Sequence, residues 1–120
     1  MLKSSRNVEA EPAKNAVKAE LQWLIDRKDG ASNFELRKFR IRSGGSIPKH
    51  YHPEIEHEQY VLKGNYIVGI GKTEHKVKAG DALLIPAGTI HWYRNNGKGD
   101  AEFLCIIPRK EDYQTVYLES

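Results

Sequence analysis

From Val17 onward the chain breaks into short apolar or alternating runs, "VKAELQWLI", "FELRKFRI", "QYVLKGNYIVGI", "EHKVKAGDALLIP", "IHWYRN", "AEFLCIIP" and "TVYLE". Between them fall "KDG", "SGG", "KG", "AG", "PAG" and "NNGKG", read as punctuation. Runs spaced about 8 to 12 residues apart and closed by Gly, Pro or Asn mark an all-β sandwich or barrel. No twelve-residue stretch sustains the 3.6-residue period of a capped amphipathic helix. A jelly-roll barrel suits the pattern, because it hides sheet edges and leaves room for a ligand among the inward side chains. A chain of 120 residues supports one such core. The expected division is a polar tail or arm laid on a neighbour over residues 1–16, where Pro12 interrupts a segment without apolar period, and a single barrel over residues 17–120.

Charge narrows the function classes. The 19 Lys and Arg against 16 Asp and Glu are scattered rather than gathered into a stripe, and no nucleic-acid-binding motif accompanies them, so no nucleic-acid partner is expected. No apolar run approaches the roughly 20 residues of a membrane span, and no apolar signal core opens the chain. A soluble cytoplasmic protein is the expectation. The single cysteine, Cys105, excludes an internal disulfide.

The chemistry concentrates in "HYHPEIEHEQYVLKG", residues 50–64, which holds three of the five histidines within eight positions. Side chains alternate along a strand, so His50 and His52 share one face and can chelate one ion. Pro53 then forces a bend, after which His57, Gln59 and Val61 share a face, with Glu58, Tyr60 and Leu62 on the other. His91 follows "GDALLIPAGTI", where "PAGT" reads as a tight reversal with Gly88 free to take a positive φ, and opens the next strand. His75, among alternating polar residues, reads as a surface position. Glu56 remains an alternative ligand to His57, because three residues separate it from His52.

Two motifs here resemble those of the cupin superfamily. The second, Gly, five residues, Pro-x-Gly, two residues, His, three residues, Asn, fits as Gly80, Pro86, Gly88, His91 and Asn95. The first fits as Gly44, His50, His52 and Gly64, except that the position separated from Gly64 by six residues holds His57 instead of glutamate. Fifteen residues separate the motifs. The resemblance implies an all-β cupin jelly-roll (double-stranded β-helix) barrel. The histidine in place of glutamate, with "EFLCIIP" following the second motif, is similar to the small four-histidine manganese cupins. That likeness implies one divalent transition metal per chain held by His50, His52, His57 and His91, with manganese first and iron, zinc, nickel or copper also open.

Four neutral imidazoles leave the ion its full charge and favour an anionic ligand at its open positions. Each ring is expected to donate its second N–H to a carbonyl or carboxylate, for which Glu56, Glu58 and Asn95 are candidates. Ligation needs neutral imidazole, so occupancy should fall below about pH 6. Alternation in "AEFLCIIP" turns Phe103, Cys105 and Ile107 inward as the expected pocket wall, with Cys105 read as a small apolar filler. The expected function is a metal-dependent oxygenase or dioxygenase oxidising a small organic substrate. The alternatives are a non-redox Lewis-acid isomerase or lyase, and a binding module without turnover. Excess apolar surface predicts a homodimer, with Trp23 and the N-terminal arm as interface elements.

Overall fold

The computed structural model describes residues 1–118. Its strands are β1 (Ala10–Pro12), β2 (Val17–Ile25), β3 (Phe34–Tyr51), β4 (His57–Lys63), β5 (Asn65–Ile70), β6 (Thr73–Lys78), β7 (Ala82–Ile85), β8 (His91–Arg94), β9 (Ala101–Pro108) and β10 (Val116–Tyr117). All the pairings are antiparallel, and they run β6-β5-β8-β3-β9-β4-β7, with β2 and β10 also on β3 and β1 on β2. The curled sheet is the expected jelly-roll barrel. Among the described residues no helix is long and apolar enough to cross a membrane. The polar N-terminal arm lies on its own chain, with β1 in register against Glu20 to Gln22 of β2.

One strand serves both halves of the barrel. The first half of β3 lies between β2 and β9, and its last residues pair with β8 and β10. "SGG", expected to end a strand, is instead a corner inside β3. Gly44 takes φ +81°, and a Cβ on Gly45 would stand 2.8 Å from both the Arg42 and the Val17 carbonyl oxygens. Glycine therefore permits a strand to change sheets without ending, and the β2 register slips between Val17 and Ala19 opposite it.

Asn95, completely buried, fastens this corner. Its Nδ2 donates to the carbonyls of Ile41 (2.8 Å) and Gly99 (2.9 Å), and its Oδ1 accepts from the Gly97 amide (2.9 Å). Its backbone exchanges 2.9 Å bonds with Gly44 and Gly45. Asn95 thus joins the two sequence motifs structurally, and none of its hydrogen bonds goes to a histidine ring.

The interior follows strand alternation. On β4, His57, Gln59 and Val61 are buried while Glu58, Tyr60 and Leu62 are exposed; on β9, Ala101, Phe103, Cys105 and Ile107 are buried. Phe103 anchors the apolar core, stacked on Phe39 with ring centroids 5.0 Å apart and on Tyr93 at 5.1 Å.

Candidate metal centre

The end of β3 and the start of β8 are neighbours, with His50 in register against His91. A bond from the Gly88 amide to the His52 carbonyl, 2.8 Å long, brings the "PAG" reversal against the segment after β3. These two connections bring His50, His52 and His91 together with ligand atoms all within 4.8 Å of one another. His57 enters from β4, its ring centroid 4.5 Å from that of His52 and 5.5 Å from that of His91. The compact group thus has three members, where the four-histidine resemblance implied four; the ring of His57 adjoins it.

What separates His57 is its support. His50 Nδ1 donates to the Pro48 carbonyl at 2.7 Å, and His91 Nδ1 to the Thr89 carbonyl at 2.9 Å. His52 Nδ1 lies 3.2 Å from the Gln114 carbonyl and 3.0 Å from Thr115 Oγ1. A carbonyl only accepts, so these bonds keep the proton on Nδ1 and leave Nε2 as an unprotonated lone pair, the form a metal needs. His57 Nδ1 is buried with no partner. None of Glu56, Glu58 or Asn95 serves these rings. Glu56 and Glu58 are exposed, lining a surface groove with Phe34, Ile106, Ile107 and Pro108.

Burial keeps the imidazoles neutral. It holds His52 down to about 4, with the nearby His50 adding to the effect, and His91 down to about 3, again with His50. His50 is lowered by burial and by Arg37, against the Pro48 bond that raises it. His57 falls furthest, through burial and then the Arg37 charge and the other rings. His52, His57 and His91 therefore stay neutral well below pH 6, where the free-histidine value had placed the loss of ligation, and His50 shifts in the same direction. His75 lies exposed on β6, away from the centre.

The rings open into a cavity of about 360 Å³ whose lining includes Trp23, Arg37, Phe39, Gln59, Tyr93 and Cys105, with Glu11 to Lys14 of the arm and Thr115 and Tyr117 at the C-terminal side. Of the expected wall only Cys105 lines this space. Phe103 and Ile107 point inward but belong to the hydrophobic core on either side of it. Register explains the difference, for Cys105 sits opposite Arg37 of β3 and Gln59 of β4, and Trp23 of β2 sits opposite Arg37. A row Trp23, Arg37, Cys105, Gln59 thus crosses four strands below the histidines. Gln59 Nε2 reaches Tyr93 Oη at 2.6 Å and Cys105 Sγ at 3.6 Å. Sequence reading missed Arg37, although a signal was there: in "FELRKFRI" the buried Ile41 and the inward Phe39 fix a phase that also turns Arg37 and Glu35 inward.

Comparison with known proteins agrees with this architecture. Residues 37–107 match the family described as Cupin domain. The polyketide cyclase RemF from Streptomyces resistomycificus superposes on all of this chain and 87% of its own, with a TM-score of 0.89 and 30% identity. Germin-like protein subfamily 2 member 2 of Arabidopsis thaliana is 38% identical over 90 residues, 69% of this chain and 41% of that protein. Oxalate oxidase GF-3.8 of Triticum aestivum is 36% identical over 80 residues, 60% of this chain and 36% of that protein. The chain spans less than half the length of these two curated relatives.

Proposed function

The chain belongs to the cupin family, and from that membership we propose a divalent-metal enzyme that transforms a small oxygen-bearing organic substrate without net oxidation, using His50, His52, His57 and His91 as ligands. The observation that carries this reading is the set of carbonyls behind the rings, which leaves an Nε2 lone pair on each of His50, His52 and His91, three residues whose ligand atoms lie within 4.8 Å of one another. The donor set therefore fits a metal ion. His57 adds a buried ring whose Nδ1 has no hydrogen-bond partner and whose centroid lies 4.5 Å from that of His52. Manganese is the metal proposed, from the likeness to four-histidine cupins; the imidazoles suit iron, zinc, nickel and copper as well.

A bound divalent ion would supply a Lewis acid for a substrate carbonyl. The chain's own groups position and shield. Burial, and after it Cys105, raises the Tyr93 phenol well above its ordinary value, so Oη holds its proton as a donor. Leu21, Trp23, Phe39 and Ile47 give the cavity an apolar wall. The similarity to a polyketide cyclase along the entire chain supports the non-redox chemistry.

A second reading, oxidation by dioxygen or a peroxide, is favoured by the oxalate oxidase among the relatives. Turnover of a substrate found by screening separates the two. Equal conversion with and without oxygen, and with zinc as well as manganese, supports the first; dependence on an oxidant and on a redox-active ion establishes the second. The proposal includes a homodimer, for which the exposed Tyr60, Leu62, Leu84 and Ile106 on the outer face of β4, β7 and β9 offer apolar surface; a monomeric mass by light scattering removes it.

A further inference from the structure

Among the described residues Arg37 forms no salt bridge. Its guanidinium carbon lies 4.9 Å from the Phe39 ring centroid and 5.3 Å from that of Trp23. Nη2 donates to Cys105 Sγ at 3.1 Å, a weak acceptor, while Nε is buried and unpartnered. The buried carboxylate on the same strand is engaged elsewhere: Glu35 Oε2 accepts from the Arg27 amide at 2.8 Å and lies 3.9 Å from Arg27 Nε. The carboxylate on the cavity wall, Glu11, is exposed on the arm near the equally exposed Lys14.

Arg37 is half-buried, with its Nε wholly withdrawn from water; an aromatic face and a thiol offset part of the cost of that desolvation. An anion that arrives with the ligand supplies the partner this charge lacks among the described residues. The planar fork matches a carboxylate through two parallel N–H bonds, and the Trp23 and Phe39 rings flank it at 5.3 and 4.9 Å.

We infer that Arg37 is the substrate-docking residue of this cavity and selects a small organic carboxylate with a flat apolar body. The carboxylate seats on the guanidinium, the body lies along Trp23, Phe39 and Ile47, and the far end reaches the histidine rings. Gln59 lines the same cavity, its Nε2 donating to Tyr93 Oη. This deepens the metal-enzyme reading and rests on it for what happens at the far end, while the anion seat belongs to Arg37 alone.

Benzoate and its neutral isostere benzamide test the seat. Titration calorimetry on zinc-loaded protein should give benzoate at least about a tenfold advantage over benzamide, the scale of a charge-assisted pair. Arg37→Gln should reduce that ratio at least about tenfold with metal content unchanged, and Arg37→Lys, which keeps the charge without the planar fork, should reduce it less. Should Arg37→Gln not fold, the Arg37→Lys ratio decides. In chelator-stripped protein the preference should remain in wild type and vanish in Arg37→Gln. An identical benzoate-to-benzamide ratio in wild type and folded variants, or no preference in wild type, overturns the inference. Failure of the metal reading shows separately, as zinc absent from the loaded wild-type protein.

Discussion

The corner at Asn95 and the cavity below His57 are both buried and both polar, yet they are built to opposite standards. At the corner every side-chain polar atom of Asn95 is hydrogen-bonded, in a knot that joins β3, β8 and the loop before β9. In the cavity, Arg37 Nε, His57 Nδ1 and Gln59 Oε1 have no partner. Both regions carry residues of the family motifs, so a motif position does not by itself tell a ligand from a fastener. The difference in hydrogen bonding does. A satisfied network stabilises the fold, whereas unpaired buried groups cost stability until a ligand meets them.

The sharpest way to break this contrast is Asn95→Ala. It leaves the Ile41 and Gly99 carbonyls and the Gly97 amide unpaired, and should lower the free energy of unfolding by about 3 kcal/mol in urea titrations. A loss below about 1 kcal/mol would show that the corner is not a fastener. Next comes His91→Ala, which should weaken metal binding on the order of 100-fold, about 2.7 kcal/mol, while the protein stays folded. Competition with a chromophoric chelator measures it. His50→Ala should behave alike, because each removes a ring whose tautomer is already set by a carbonyl.

Acidification should expose the cost of the cavity. The His91 value of about 3 lies below the 6.5 expected when unfolded, so as pH falls through 6.5 the unfolded chain takes up a proton that the folded one refuses. Stability of the metal-free protein therefore drops, by about 2 kcal/mol between pH 7 and pH 5 from this residue alone, and the loss levels off only near pH 3. His52, held at about 4, adds in the same direction over a shorter range. Melting curves of stripped protein that do not change between those pH values would contradict the burial of these rings.

A smaller effect has two signs. His57→Leu removes an unpaired buried nitrogen and should stabilise the metal-free protein by about 1 kcal/mol while lowering metal occupancy. Paired melts with and without metal read both signs, and unchanged occupancy would leave the three-histidine set as the complete site. Smallest of all, Glu56→Ala and Glu58→Ala should leave metal content unaltered, since both side chains are exposed on the outer face; a loss in Glu56→Ala would restore the carboxylate alternative.

Much of this was legible in the chain. Turn residues between short runs announced an all-β barrel, because glycine- and proline-rich clusters close strands. Alternation placed His57, Gln59 and Val61 on one side of β4 and Phe103, Cys105 and Ile107 on one side of β9, as found. Where "SGG" was read as an end, the same glycine freedom instead lets β3 turn a corner. The reason is that Asn95, 51 positions beyond Gly44, bonds to it and holds the bent strand together.

The sequence by itself determined the fold class, the phase of each strand and the histidines that can meet, since these depend on the two-residue period and on local backbone preference. Tertiary structure alone decided which inward residues reach the cavity and which acceptors fix the rings. Cys105 lines the site while Phe103 and Ile107 fill the core, because height along the barrel is set by the register of β9 against β3 and β4. His52 finds its carbonyl at Gln114, 62 residues away. Arg37 becomes a docking residue only because Trp23 of β2 and Cys105 of β9 flank it in that register while Glu35 bonds to Arg27. Such matches between distant strands are pairings in space, and no local period encodes them.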